Sequence, residues 1–148
     1  MSFENKLLFK LCIIGASIVV GLMIAFIINQ TLLYDTAGWS YDSQFVLTRV
    51  LVIAFGIIFP AVIIVLSIIG INIYENSEHI TLIFGILITI LSGFIILEAS
   101  LGTIFGISDL ISYPTYLTFY IVQEVLGLAT LGMGVLTLVG GIKNITYR

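Results

Sequence analysis

Three charged side chains at the ends of long apolar runs are the residues of this sequence best suited to chemistry. Arg49 precedes one run, Glu98 follows another and Glu124 precedes a third. Two carboxylates and a guanidinium that met in a medium of low polarity could bind an ion or relay a proton. They could also form an interhelical salt bridge or reach lipid headgroups. Because all three lie at the edges of the runs rather than at their centres, the structural role is favoured, and ion handling is the alternative.

The other reactive side chains are isolated. Cys12 is the only cysteine, so no disulfide can form within the chain, and we expect it to pack among apolar neighbours. His79 is the only histidine, and a metal site would need ligands beyond the nearby Glu75 and Glu78. The sequence has no nucleotide-binding glycine pattern, no paired-histidine protease motif and no basic stretch. We therefore expect no metal, no cofactor, no nucleic-acid partner and no catalytic activity of the chain itself, although it could belong to an enzyme complex.

Composition indicates which elements position these groups. The 148 residues are 60% hydrophobic and only 9% charged, with a mean hydropathy of +1.26. A soluble domain carries about a quarter charged residues, and a surface this apolar would aggregate in water. The sequence therefore predicts an integral membrane protein whose first partner is the lipid bilayer.

Residues that are costly in hydrocarbon divide the chain into four apolar segments. Each is close to the roughly 20 residues that cross a bilayer core of about 30 Å as an α-helix. A cleaved signal peptide is the alternative for the first segment, but no small-residue cleavage site follows it. We predict one all-α transmembrane domain over residues 1–148, an up-down-up-down bundle of four transmembrane helices with short interfacial helical segments in its outer connections. The predicted spans are about 7–29, 46–72, 79–101 and 116–142.

The distribution of lysine and arginine predicts the orientation. Arg49 is the only base on the side of the membrane opposite the two termini. The other four flank the spans on the side of the termini: Lys6, Lys10, Lys143 and Arg148. Because cytoplasmic flanks of membrane helices are enriched in these residues, we expect a prokaryotic plasma membrane with both termini in the cytoplasm.

Small residues at helical spacing mark faces on which membrane helices pack closely. The fourth span carries five of them at alternating steps of three and four, which is typical of a left-handed crossing. The first and third spans each carry three at steps of four, which is typical of right-handed contacts. In chain order, the three sets are Ser17, Gly21 and Ala25; Gly85, Thr89 and Gly93; and Gly127, Thr130, Gly134, Thr137 and Gly141.

Proline predicts a kink in the second span. Pro60 lacks the N–H that a helix interior needs, and its ring crowds the preceding turn. Gly56 and Ser67 lie on the same helix face as Pro60, and so does Arg49. We expect this face to lie toward the protein interior, with Ser67 or a neighbour bonding the carbonyl that proline leaves free.

Two functions fit this pattern. The first is a small non-catalytic integral membrane subunit that packs by its small-residue faces within a larger membrane protein complex, since three such faces exceed what a four-helix bundle needs. The second is a small homo-oligomeric transporter or channel that uses Arg49, Glu98 and Glu124 at its outer mouth. The subunit is favoured because none of the charged side chains lies at the centre of a span.

Overall fold

The computed structural model describes residues 3–72 and 78–146. Within these ranges every regular element is a helix, and there is no strand. In chain order the elements are α1 (Phe3–Ala37), α2 (Ser43–Ile53), a π-helical turn (Ala54–Ile58), α3 (Phe59–Asn72), α4 (Glu78–Ser112), a 3₁₀ turn (Pro114–Tyr116) and α5 (Leu117–Thr146).

Four helical segments are long and apolar enough to cross a membrane, which confirms the predicted number of long apolar helices. They are Glu4–Ala37, Ser43–Asn72, His79–Ser112 and Pro114–Thr146. The first and third extend about two or three turns beyond the predicted spans, because no helix breaker occurs before Gly38 and Pro114. The connections between helices are correspondingly short, so the aromatic residues assigned to interfacial segments lie largely on the long helices themselves.

Each of the two described connections has its own termination signal. Gly38 ends α1 at a positive φ of 69°, and Trp39 N donates to Tyr34 O at 3.0 Å across the last turn. Asp42 caps α2 by accepting from Phe45 N at 2.9 Å. Pro114 cannot continue α4 because it has no N–H to donate.

Helix α1 packs most extensively on α5, and their contacts pair the beginning of one helix with the end of the other. At one end of the bundle, Asn5 Nδ2 donates to Asn144 Oδ1 at 3.2 Å, and both residues are fully buried. At the opposite end, Asn29 Nδ2 donates to Phe119 O at 3.0 Å. We call the first the amide end and the second, which also holds Trp39, the aromatic end.

Small residues on α5 allow close contact with α1 and α4. A Cβ added to Gly141 would lie 2.7 Å from Thr89 Oγ1 and 3.0 Å from Thr89 N, and one added to Gly85 would lie 3.0 Å from Gly141 O. Gly127 is half-buried. The other four members of the predicted α5 seam are buried: Thr130, Gly134, Thr137 and Gly141.

The predicted small-residue faces of the first and third spans lie partly outside the bundle. Ser17 and Gly21 are exposed and Ala25 is half-buried, and a Cβ at Gly21 or Gly93 would meet no atom within 4 Å. Helix α1 instead buries the neighbouring face that contains Cys12, Ala16 and Val19. That face packs on both α5 and α3. Burying it therefore covers more surface than burying Ser17, Gly21 and Ala25 would.

The second apolar segment is broken at the π turn. Phe59 N donates to Ala54 O, five residues back, and the widened turn makes room for the ring of Pro60.

Gly56 is buried at the π turn because the side chain of Met23 packs against its Cα. Ser67 is also buried, but its hydroxyl has no hydrogen-bond partner among the described residues, so Ser67 does not bond the carbonyl that proline leaves free. Beyond the turn, α3 packs on α1 and α4, whereas α2 packs mainly on α1.

The α4–α5 contact predicts the effect of one methyl group. Gly141→Ala should destabilise the protein by about 1–3 kcal/mol, because the new Cβ would meet backbone and side-chain atoms of Thr89 that cannot both move away. The matched control is Gly132→Ala on the same helix, where the Cβ meets no atom within 4 Å and stability should change by less than about 0.5 kcal/mol. Unfolding of the purified protein in detergent measures both, and equal stability of the two variants would contradict the contact.

Candidate functional site

A cavity of about 880 Å³ lies among the four long helical segments toward the aromatic end. It reaches from Trp39 and Asp109 at its mouth to Met23, Phe55 and Phe94 at its floor. The floor residues lie near the centres of their helices. Toward the amide end the helices close: Phe9 packs on Gly70 and Cys12 packs on Gly140.

The charged side chains in the cavity wall are all carboxylates, and the other polar side chains there are uncharged. Glu98, Asp109 and Glu124 all line it, with Asp42 near the mouth. No lysine, arginine or histidine lines it in the part of the chain that the structure describes. Because the charged side chains that share this cavity are all acidic, the wall is electrostatically more favourable to a cation than to an anion.

Helix α4 supplies two of the three carboxylates on a single face. Glu98 and Asp109 are eleven positions apart, which returns to within about 20° around the helix and advances about 16 Å along it. The acids therefore line the length of the cavity rather than meeting at one point. Within the ranges 3–72 and 78–146, no group of three or more His, Cys, Asp or Glu side chains is placed to hold a metal ion.

Gly106 fixes the position of the third carboxylate. Glu124 reaches across from α5, and a Cβ on Gly106 would overlap its Oε1. The absence of a side chain on α4 thus forms a notch into which the carboxylate fits. One turn along α5, Tyr120 lies on the same helix face as Glu124.

Two buried polar side chains in the cavity wall have unused hydrogen-bonding groups. Tyr120 and Gln30 are each 6% exposed, and both line the cavity. The Tyr120 hydroxyl makes no hydrogen bond with any residue that the structure describes, and neither does the Gln30 amide nitrogen. Neither atom is among the buried side-chain atoms that lack a partner in the described residues, so both groups are accessible from the cavity.

Aromatic rings surround the mouth. The Trp39 ring lies 5.3 Å from that of Tyr34, 5.4 Å from that of Tyr113 and 5.3 Å from that of Tyr116, in each case close to edge-on. Outside the spans, the Tyr41 hydroxyl donates to Asp35 Oδ1 at 2.8 Å, and this hydrogen bond raises the pKa of Tyr41 because ionisation would break it. The electron-rich faces of such rings attract cations, as the carboxylates do.

Arg49 is directed elsewhere. Its Nη2 donates to Thr31 Oγ1 at 2.9 Å and to Gln30 Oε1 at 3.5 Å, and its guanidinium lies 4.7 Å from the centre of the Phe45 ring. Of the three charges singled out in the sequence, the structure brings Glu98 and Glu124 to one cavity, while Arg49 holds α2 to α1. The reason is the direction of α2, which packs on α1 rather than on α4 beyond the π turn.

Sequence reasoning missed the other members of the site. Asp109 lies beyond the predicted third span, and Gln30 and Tyr120 were not singled out. One signal was present: the eleven-residue spacing of Glu98 and Asp109 is three helical turns, so both acids share a face if α4 is continuous.

The Arg49 contacts predict specific coupling energies. In double-mutant cycles, Arg49→Ala and Thr31→Val should couple by about 1 kcal/mol, because the two side chains share a hydrogen bond. Cycles of Arg49→Ala with Glu98→Gln or Glu124→Gln should give coupling near zero. Unfolding in detergent measures each variant, and stronger coupling to a glutamate than to Thr31 would show that the charges pair after all.

Comparison with known proteins does not assign this chain to a family. No family model matches it, and no curated protein or solved structure matches it.

Proposed function

We propose that this chain crosses a lipid bilayer four times as an up-down-up-down bundle, with both termini in the cytoplasm of a prokaryotic cell. The support is the length and apolarity of the four helical segments, the apolar side chains exposed along all of them, and the concentration of lysine and arginine toward the termini. In this orientation the aromatic end is the outer end, where tyrosine and tryptophan match the depth of the headgroups.

Within that membrane, we propose that the protein is a small transporter that binds a positively charged solute in the cavity at the outer end. One observation carries this proposal: three carboxylates line one cavity and no described basic side chain accompanies them. Charges inside a membrane protein are costly unless they meet a partner or water. A cationic solute would be the partner that Glu98, Asp109 and Glu124 lack among the described residues.

The closed amide end fits the same proposal. Phe9 packs on Gly70 and Cys12 packs on Gly140, so the described helices are in close contact at this end in this conformation. A solute would therefore enter from outside, and transport would require these contacts to separate. A conformation that is open at the outer end and closed at the inner end is one of the two states that alternating access requires.

Flux through the protein alone tests this function. Liposomes that contain only this chain should take up a small organic cation such as tetramethylammonium, and Glu98→Gln or Glu124→Gln should reduce the uptake at least about tenfold by removing a charge from the wall. The control Asp35→Asn removes an exposed acid that does not line the cavity and should leave uptake unchanged. Absence of uptake contradicts transport, and uptake that ignores both glutamate variants removes these residues from the function.

Site-specific labelling tests the orientation. In a Cys12→Ala background, Ser40→Cys should react on intact cells with a maleimide that cannot cross membranes, because residue 40 is exposed at the aromatic end. Lys143→Cys, exposed at the amide end, should react only after the cells are broken. Equal reaction of both positions on intact cells would contradict four crossings with the termini inside.

The second candidate is the non-catalytic subunit of a larger complex. The outward position of Ser17, Gly21 and Gly93 favours it, because a Cβ at either glycine meets nothing within 4 Å and a partner helix could approach there closely. The same liposomes separate the two candidates. A subunit that only packs against partners would give no uptake by itself.

A further inference from the structure

We infer that the solute is an amphipathic organic cation, an ammonium group on an apolar chain, which enters sideways from the outer lipid leaflet between α2 and α4. This inference rests on the proposed function and specifies its substrate class. The ammonium group binds near Glu124, below the aromatic rings, and the chain extends to the floor formed by Met23, Val52 and Phe55.

The walls distinguish a cationic amphiphile from a phospholipid. Carboxylates extend over about 16 Å of α4 between Glu98 and Asp109, with Glu124 between them against Gly106. A zwitterionic headgroup would bring its phosphate alongside these carboxylates. No described lysine or arginine of the wall is available to neutralise that phosphate. The shape and charge therefore favour a cation that carries no phosphate.

The mouth has the groups that an organic ammonium requires. Trp39, Tyr34 and Tyr113 present aromatic surfaces, which attract alkylammonium groups together with a carboxylate. Tyr120 is buried in the wall, and its hydroxyl has no partner among the described residues. Its oxygen can accept from an N–H of the ammonium or from a water that the ammonium carries.

The floor is apolar. Met23 is 3% exposed and Val52 is 2% exposed, and the rings of Phe55 and Phe94 stack at 5.9 Å where the π turn meets α4. Polar groups are costly in such surroundings, whereas an alkyl chain is not. A small, fully hydrated ion would leave this part of the cavity unused.

Exposed apolar side chains mark a lateral opening. Leu51 on α2 and three residues of α4 line the cavity and remain exposed: Leu97, Leu101 and Phe105. Residues that line a cavity and are also exposed lie at its opening, and these four residues are apolar. Because α2 packs mainly on α1, the gap between α2 and α4 opens to the acyl chains of the bilayer, so the apolar tail need not pass through water.

Trp39 provides the readout, because it is the single tryptophan of the chain and it lines the cavity. The full-length protein in nanodiscs of phosphatidylcholine would be titrated with dodecyltrimethylammonium, with dodecanol at equal mole fraction and with tetramethylammonium. We expect a saturable change of Trp39 fluorescence with dodecyltrimethylammonium, none with dodecanol, and an at least tenfold weaker response to tetramethylammonium. Saturation in phosphatidylcholine would also show that the site prefers the phosphate-free cation to a choline headgroup.

Two variants change the carboxylate of Glu124 in different ways. Glu124→Gln removes its charge, and Gly106→Ala displaces it from its notch. Each should weaken the apparent affinity at least about tenfold, which corresponds to 1.4 kcal/mol. The control Gly93→Ala lies on the same helix and meets no atom within 4 Å, so it should match the parent protein and show that an added methyl group on α4 is tolerated.

The lateral entrance has its own test. Leu101→Phe narrows the gap and should slow the binding of dodecyltrimethylammonium at least threefold in stopped-flow fluorescence. Leu128→Phe, on an exposed position of α5 away from the cavity, should not. Equal rates in both variants would overturn entry between α2 and α4.

The remaining outcomes separate this inference from the proposed function. Tetramethylammonium that binds as tightly as the dodecyl compound, with loss in Glu124→Gln, would overturn the amphipathic substrate and leave a cation transporter. An equal response to dodecanol would overturn recognition of the charge. Failure of every cation to give a saturable response would overturn both proposals.

Discussion

The missing N–H of Pro60 is the constraint on which the cavity depends. A continuous helix at this point would need a hydrogen bond that proline cannot donate and would place its ring against the carbonyl of Gly56. The turn widens to a π helix instead, and Phe59 N bonds to Ala54 O. This change of geometry lets α3 pack on α1 and α4 while α2 stays with α1.

The close contacts at the amide end allow the rest of the bundle to open. Glycines on α5 and α3 bring helices together where Asn5 bonds to Asn144 and Phe9 packs on Gly70. Close packing in this half stabilises the protein. Lipid tails can cover apolar surface as well as side chains can, but they do not pack as closely against a helix. The cavity near the other end removes contacts there, so the close packing lies mainly in the half that contains the amide end.

The long apolar helices could be predicted because their signal is the length of uninterrupted hydrophobic sequence, which a bilayer imposes directly. The site could be predicted only in part. The positions of Arg49, Glu98 and Glu124 at the ends of their apolar segments predicted that the three side chains lie at the same depth. Depth does not specify the direction of a side chain around the bundle, and Arg49 lies against Thr31 on α1. Pro60 signalled a bend without its direction. Asp109 was passed over because the third span was ended too early, where no residue actually breaks the helix.

The pairing of α1 with α5 has a consequence for how the chain assembles in a membrane. Helix α1 is made first and α5 last, yet the most extensive packing of α1 is on α5. The buried face around Cys12 and Ala16 must therefore remain against lipid, or against another protein, until the last helix arrives. Contacts of such large sequence separation form late. A chain interrupted before α5 would lack the Asn5–Asn144 hydrogen bond and the packing of α5 on α1.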